Sequence, residues 1–168
     1  MDAATLRTLQ APIKQHYRDH PDDARIPARA EARLDADGIA CTVPAWHGET
    51  IAGLHKAAGG TGEQACSADM LLEALVACAG TTLRAVATAM SIPVRGGRIV
   101  AEGVWDVRGT LGIDRATPVG LAEIALRFDL DTDAEPDKLA RLIDTTERYC
   151  VILQTLKSPP KLTVARPG

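Results

Sequence analysis

The pattern of apolar and polar positions at the start of the chain predicts an amphipathic helix over residues 2–18. Asp2 can cap its first turn, and Pro12 lies within it. Its apolar residues recur every three or four positions, as one face of a helix requires: Leu6, Leu9, Ile13 and Tyr17. The sequence HPDDARIP then ends the helix, and no repeat or linker divides the rest. We therefore treat residues 1–22 as a helical extension and residues 23–168 as one domain.

A long apolar segment in the middle of the chain predicts a second helix from Ser67 to about Met90. After the first turn, its charged residues are Glu73 and Arg84, which lie eleven positions apart. This separation is close to three full turns, so both charges project from the same face. We expect the rest of this helix to be buried.

A third helix is predicted after a cap at Thr132 or Asp133, with Pro136 in its first turn. The sequence Ser-Pro-Pro at residues 158–160 should end it, because proline cannot continue a helix. One stripe of this helix carries apolar or small residues at helical spacing: Leu139, Leu142, Ile143, Thr146 and Cys150. We expect this stripe to face the core.

Several segments have strand character. Residues 28–34 and 39–43 flank a turn at residues 35–38, which predicts a hairpin. Strands are also predicted at residues 98–108 and 119–131. A last strand can form at residues 162–165 (LTVA). Residues 46–62 show no clear period, and their glycines indicate a loop. The prediction is an α+β fold with an antiparallel sheet.

Composition and charge narrow the functional classes. The 168 residues are 46% hydrophobic and 24% charged, as in an ordinary globular domain. The net charge of −3, with no basic run, argues against nucleic acid as a partner. No run of about 18 uncharged apolar residues indicates a membrane span, and the N-terminus does not resemble a signal peptide. We expect a cytoplasmic protein without a membrane partner.

The four cysteines are the candidate reactive groups. Their wide spacing fits neither a zinc ribbon nor a CxxC redox motif. Cys78 and Cys150 each fall on the predicted buried face of a helix, and each can simply be a small core residue, because free cysteine is often buried. Packing the two helices together would also bring the thiols within disulfide range. The neighbours of Cys78 at helical spacing are Ala74, Leu75, Thr81 and Thr82.

The run CSADMLLEALVACAGTTLRAVATAMSIPV, followed by VRGTLG, VGLAEIALRFDLD and TERYCVILQTL, resembles the OsmC/Ohr family of thiol peroxidases over roughly residues 28–165. The resemblance implies an OsmC-like fold, in which antiparallel sheets wrap around central buried helices of an intertwined homodimer. It also implies reduction of organic hydroperoxides at two sites on the subunit interface. Cys78 then holds the family's peroxidatic position and Cys150 its resolving position. No metal or bound cofactor is implied.

Four positions near the two cysteines depart from the family pattern. The family has a Glu nine or ten residues before the first cysteine, preceded by Pro, and this chain has Asp69 and Ala68 there, with Ser67 in place of the Pro. Asp69 is therefore the acid that we expect at the site. The second cysteine is usually followed by Pro, and here it is followed by Val151.

The resemblance also implies an arginine that holds the nucleophile as a thiolate, in a salt bridge with the family's Glu. A free thiol has a pKa of about 8.5, and an apolar site raises it, so we expect a positive neighbour for Cys78. No arginine can be assigned to this role from the sequence. The candidates for it are Arg29, Arg33, His47, His55 and Lys56.

Two other residues allow more than one interpretation. Glu147 lies three positions before Cys150 and can either meet it on one helix face or be an ordinary exposed acid. Cys66 is a second candidate resolving thiol, but a continuous helix would place it about 17 Å from Cys78, beyond disulfide reach. Cys41 is expected to pack under the hairpin.

Three functional hypotheses follow. In the first, the chain is a two-cysteine peroxidase for organic hydroperoxides, and an external dithiol, in the family often lipoyl-linked, regenerates both thiols. In the second, it is a non-catalytic OsmC-like protein that binds an apolar small molecule at the dimer interface. The departures at Asp69, Ala68 and Val151 motivate this alternative. In the third, the thiols are inert and the N-terminal helix makes the chain an interaction module.

Overall fold

A computed structural model describes residues 1–45 and 48–166. Within these residues the fold is α+β, as predicted. The helices are α1 (Ala3–Asp19), α2 (Ser67–Ala89), α3 (Val107–Thr110), α4 (Pro136–Tyr149) and α5 (Val151–Lys157). The strands are β1 (Arg33–Leu34), β2 (Cys41–Ala45), β3 (Gly48–Gly53), β4 (Ala65–Cys66), β5 (Gly96–Trp105) and β6 (Leu121–Asp131).

The chain folds into two compact units. The first comprises residues 1–9, 74–100 and 127–168, and the second comprises residues 10–73 and 101–126. The first unit contains the hydrophobic core and the two candidate reactive cysteines. The second contains the four-stranded sheet. The division into residues 1–22 and 23–168 stays a prediction.

The four-stranded sheet has the order β1-β2-β3-β4. Strands β1 and β2 form a hairpin at the predicted turn, in which Arg33 pairs with Thr42, but residues 28–32 of the predicted first strand form none. Strand β3 also runs antiparallel to β2. Strand β4 is parallel to β3, with Gly53 beside Cys66. The loop predicted over residues 46–62 is wrong for residues 48–53. Their strand depends on hydrogen bonds to β2, and Ile51 is the only large apolar residue among them, so the segment lacks an alternating pattern.

Strands β5 and β6 form the second sheet and confirm the two predicted strands, except that residues 107 and 108 lie in α3 and β6 begins at Leu121. The Arg95 N–H donates to the Asp131 carbonyl over 2.8 Å, and Gly103 lies next to the Glu123 carbonyl. Residue numbers therefore rise along one strand as they fall along the other, as in an antiparallel pair.

The C-terminal residues 158–166 form no strand, contrary to the prediction for residues 162–165. Leu162 and Val164 are 85% and 74% exposed. Alternating apolar residues allow a strand, but it forms only where a neighbouring edge accepts its hydrogen bonds. Among the described residues, no strand pairs with this segment. The helical region nevertheless ends where predicted, because α5 stops at Lys157, just before Ser-Pro-Pro.

Helix α2 matches its predicted bounds, but only one stripe of it is buried in the single chain. The stripe recurs at four-residue intervals and consists of Leu75, Ala79, Leu83 and Ala87. Glu73 and Arg84 are exposed, as predicted. The expectation that the rest of the helix is buried is wrong here, since Leu71 is 39% exposed and Ala77 is also exposed. One packing layer covers one face of a helix, and full burial requires a second layer.

Helix α2 is also, within the described part of the chain, the one helix with the length and composition of a membrane span. Its mean hydropathy reaches 1.5 over 18 residues. These properties are shared by the core helices of folded domains, and the buried stripe of α2 packs in the first unit's core.

The core of the first unit joins the C-terminal half of α2 to α4. Its buried residues are Leu83, Ala87, Ile92 and Leu142, and Phe128 packs against them. Phe128 is the only phenylalanine in the sequence, so the core is almost entirely aliphatic.

The apolar stripe predicted for the third helix is confirmed. Leu142, Thr146 and Cys150 are buried, while Leu139 and Ile143 are half-buried. The buried Thr146 hydroxyl is satisfied, because it donates to the Leu142 carbonyl over 2.8 Å. The helix begins slightly later than predicted, at Pro136, with Glu135 in the cap position instead of Thr132 or Asp133.

We predict that Leu142→Ala lowers the free energy of unfolding by about 2–5 kcal/mol, because it leaves a cavity in the core. Urea denaturation followed by circular dichroism measures the change. Leu162→Ala is the matched control, since Leu162 is exposed, and it should change stability by less than about 0.5 kcal/mol. Equal effects of the two substitutions would contradict the assigned core.

Candidate active site

The chain changes direction at Cys150, between α4 and α5. The Cys150 N–H still donates to the Thr146 carbonyl over 2.9 Å, as in a helix, but Cys150 itself is extended, with φ −74° and ψ 106°. The first helical hydrogen bond of α5 runs from the Gln154 N–H to the Cys150 carbonyl over 2.9 Å. The N–H groups of residues 151–153 lie in the first turn of α5 and need acceptors from outside that helix.

Cys78 of α2 is half-buried, and its sulfur lies at this break between α4 and α5. Burial raises the pKa of the Cys78 thiol, but hydrogen bonds to the sulfur outweigh burial. The donors are the Ile152 N–H, the Cys150 thiol, the Thr82 hydroxyl and the Val151 N–H. Donors to a sulfur favour its charged form, so the pKa of Cys78 lies below its usual value.

Cys150 is fully buried, and the pKa of its thiol is shifted in the opposite direction. Burial raises the pKa of its thiol, and the hydrogen bond and charge of Cys78 raise it further, against the opposing effect of the Leu153 and Ile152 N–H groups. Cys150 therefore stays protonated when Cys78 ionises, and it can donate its proton to the Cys78 sulfur. Both thiols are free in the structure. The pair places an ionisable thiol beside a protonated one.

Polar contacts between α4 and α5 hold the chain on either side of Cys150. The Glu147 carboxylate pairs with the Lys157 ammonium over 2.8 Å. The Gln154 side chain donates to the Glu147 carbonyl over 2.7 Å. Of the two roles that the sequence left open for Glu147, the structure favours the exposed acid, since its side chain is 39% exposed and forms an ion pair that links the two helices.

Asp69 lies exposed in the first turn of α2, nine residues before Cys78. A helix advances 1.5 Å and 100° per residue, so nine residues correspond to about 13.5 Å and about two and a half turns. Asp69 and Cys78 of one chain therefore project from opposite sides of α2. A catalytic role for Asp69 stays a prediction.

The two arginines considered as positive neighbours of Cys78 pair with acids on the surface. Arg29 contacts Glu31 over 2.6 Å, and Arg33 contacts Glu49 over 2.5 Å. The largest influences on the pKa of Cys78 are burial and the hydrogen bonds to its sulfur.

The glycine-rich segment holds the other candidates for a positive neighbour of Cys78. The His55 ring accepts a hydrogen bond from the Ala57 N–H over 3.0 Å and stands edge-on to Trp105, with ring centres 5.5 Å apart. Lys56 is exposed. His47 lies outside the described residues.

The other two cysteines lie in the four-stranded sheet. Cys41 pairs with Ala52, which pairs with Ala65, the residue before Cys66. Two strand spacings amount to about 9.6 Å, which exceeds disulfide reach. Because α2 is continuous, the predicted separation of Cys66 from Cys78 is retained. Cys78 and Cys150 are the two cysteines that the fold brings together.

Sequence reasoning found both thiols but not their donors. Thr82 was a helical neighbour of Cys78, and a hydroxyl four positions after a cysteine on one helix is the signal that would have identified it. The N–H groups of Val151 and Ile152 gave no signal, because main-chain donors depend on where the helix breaks.

Comparisons with known proteins agree with this fold. A family model described as OsmC-like protein matches residues 60–165. An OsmC-like protein from Mycoplasma pneumoniae superposes with a TM-score of 0.66 at 18% identity, covering 80% of this chain and 89% of that chain. No curated protein sequence matches the chain.

Two further solved structures carry a functional description. An organic hydroperoxide resistance protein from Elizabethkingia anophelis has a TM-score of 0.63 at 17% identity, covering 80% of this chain and 92% of that chain. One from Legionella pneumophila, also described as a predicted redox protein, has a TM-score of 0.59 at 14% identity, with coverage of 80% and 93%. At these identities the similarity establishes the fold.

We predict that limiting iodoacetamide at neutral pH alkylates Cys78 before Cys150, because the thiolate is the reactive form and Cys78 has the lowered pKa. Mass spectrometry of the two cysteine-containing peptides measures the order. The preference should shrink as the pH rises and Cys150 also ionises. Alkylation of Cys150 first would contradict the assignment.

Proposed function

Because the chain belongs to the OsmC-like protein family, we propose that it is a thiol-dependent peroxidase that reduces organic hydroperoxides with Cys78 and Cys150. The observation that carries the proposal is the contact between the two thiols, with the pKa of Cys78 lowered and that of Cys150 raised. Two structurally similar proteins are described as organic hydroperoxide resistance proteins, which supports the same chemistry.

The first step is attack by the Cys78 thiolate on the terminal oxygen of the hydroperoxide. An S–O bond forms, the O–O bond breaks, and the departing alkoxide takes up a proton to leave as an alcohol. The sulfur is oxidised to a sulfenic acid while the peroxide is reduced. The lowered pKa of Cys78 favours this step, because it increases the fraction of thiolate at neutral pH.

In the second step the Cys150 sulfur attacks the Cys78 sulfenic acid. An S–S bond forms, the S–O bond breaks, and water leaves, with the Cys150 proton balancing the departing hydroxide. The contact between the two thiols favours this condensation. The short distance also limits further oxidation of Cys78 by a second peroxide, because the resolving thiol competes for the sulfenic acid.

In the third step an external dithiol reduces the disulfide. One of its thiolates attacks a disulfide sulfur, and the second releases the mixed disulfide, so that two electrons return to Cys78 and Cys150. A lipoyl-linked dithiol is the family expectation.

We further propose that the active protein is the intertwined homodimer of the family fold. Two exposed apolar surfaces support it: the outer face of α2, and the face of α1 where Leu9 and Ile13 are 53% and 51% exposed. In such a dimer, Asp69 from one chain can approach Cys78 of the other chain, which helix geometry prevents within one chain.

We predict that Cys78→Ser abolishes consumption of cumene hydroperoxide, because it removes the attacking sulfur. Cys150→Ser should still consume one equivalent and leave a sulfenic acid at Cys78. Stopped-flow assays and dimedone labelling with mass spectrometry measure both results. Cys66→Ser is the matched control and should react like the parent protein.

The outcomes separate the functional hypotheses. A dimedone label on Cys150 in the Cys78→Ser variant would reverse the two roles. If the parent protein consumed no hydroperoxide, the peroxidase proposal would fail, and the non-catalytic binding protein would become the better hypothesis.

We predict that removal of residues 1–22 weakens the dimer, because the apolar face of α1 then no longer packs against the partner subunit. Sedimentation velocity over a dilution series measures the change. Leu9→Ser with Ile13→Ser in the full chain should have the same effect without truncation. Unchanged sedimentation of both variants would assign α1 a role outside the dimer.

A further inference from the structure

The Glu147 carbonyl has a different partner in this structure than it would have in a continuous helix. If α4 continued through Cys150, the Val151 N–H would donate to this carbonyl, four residues earlier. Among the described residues no such main-chain bond is present, and the Gln154 side chain donates to the carbonyl over 2.7 Å instead. Gln154 therefore satisfies an acceptor that the break at Cys150 leaves without its helical donor.

The ion pair between Glu147 and Lys157 likewise requires the break. Ten residues of a continuous helix correspond to about 15 Å along its axis, more than the two side chains span. The observed distance from the Lys157 nitrogen to the Glu147 oxygen is 2.8 Å. Gln154 and Lys157 lie three residues apart on α5, so they are neighbours on one face of that helix. Both contacts thus join the same face of α5 to the same residue of α4.

Cys150 lies at the turn that these contacts close. It is fully buried, although Tyr149 and Val151 on either side of it are 60% and 68% exposed. The burial of Cys150 therefore depends on the direction in which the chain turns there, with φ −74° and ψ 106°. Contacts that fix this turn also fix the burial of the thiol.

We propose that Gln154 and Lys157 form a latch on Glu147 that keeps Cys150 buried, so that outside reagents reach its sulfur only when the latch opens. The latch consists of the Gln154 hydrogen bond and the Lys157 ion pair. Both side chains are positioning residues, because they act on Cys150 through the turn. A shielded Cys150 is kept for the Cys78 sulfenic acid, a use that rests on the proposed function, whereas the latch itself does not.

The two contacts of the latch differ in how salt affects them. The side chains of Glu147 and Lys157 are 39% and 54% exposed, so water and dissolved ions weaken their attraction. The hydrogen bond from Gln154 joins two neutral groups, which ions do not screen. We therefore expect the Gln154 contact to hold the latch at high salt, when the contribution of Lys157 has been lost.

Gln154→Met tests the proposal, because it removes the amide donor and keeps a side chain of similar length. A buried thiol reacts with an external reagent through the small population of molecules in which it is exposed. Loss of one hydrogen bond should raise this population about fivefold. Alkylation of Cys150 should become faster by the same factor, at both low and high salt.

The measurement is the rate of iodoacetamide alkylation at about pH 9, read from the Cys150 peptide by mass spectrometry. Each variant is made in a Cys78→Ser background, so that alkylation of Cys78 does not disturb its neighbour. Cys66 lies in the four-stranded sheet and serves as the internal reference, whose rate should not change.

Two variants of α5 separate the latch from a general loss of helix stability. Thr155→Val is the matched control, because the Thr155 hydroxyl donates to the Val151 carbonyl within α5, over 2.8 Å. It should leave the rate at Cys150 unchanged. Gln154→Lys restores a donor on a side chain of similar length and should return the rate toward that of the parent.

Three results would overturn the proposal. The first is an unchanged rate at Cys150 in Gln154→Met. The second is an equal increase in Thr155→Val, which would assign the effect to the stability of α5. The third is a rate in Gln154→Lys as high as in Gln154→Met. Thermal unfolding of each variant verifies that the fold is intact.

Hydroperoxide consumption by the parent protein, with Cys78 in place, tests the proposed function separately. A parent that consumes none, together with faster alkylation of Cys150 in Gln154→Met, would refute the peroxidase function and retain the latch. A parent that consumes hydroperoxide, together with an unchanged rate at Cys150, would do the reverse.

Discussion

The candidate site depends on one residue of extended backbone between two helices. If α4 continued through Cys150, the N–H groups of residues 151–153 would bond to carbonyls of the preceding turn. They could then not reach a sulfur. Because the chain turns at Cys150, with ψ 106°, those N–H groups point to the two thiols instead. The same turn buries Cys150 against Cys78.

Neutral hydrogen-bond donors can stabilise the thiolate of a half-buried cysteine. Burial alone disfavours the charged sulfur, and a buried cation near it would carry a desolvation penalty of its own. Main-chain N–H groups avoid that penalty, since they are partial charges that the first turn of a helix leaves without acceptors. The ion pair between Glu147 and Lys157 holds α5 in position from outside, where water screens it and its effect on the thiols is small.

The sequence predicted the parts of the fold that have a local signal. The buried stripe that ends at Cys150 follows from helical spacing, and the bounds of α2 follow from its apolar composition. Strand β3 and the missing C-terminal strand could not be predicted, because both depend on whether a distant edge accepts hydrogen bonds. The two thiols were found from the sequence, but their donors depend on the break at Cys150, for which no residue type gives a signal.

Val151 shows how a local difference changes the chemistry of a shared fold. The resemblance places a proline after the second cysteine, and proline has no N–H to donate. In this chain the Val151 N–H donates to the Cys78 sulfur and helps to lower the pKa of Cys78. A proline would remove one of the donors that outweigh burial. The fold of this chain brings the two thiols together, and the hydrogen bonds around them lower the pKa of Cys78 while that of Cys150 is raised.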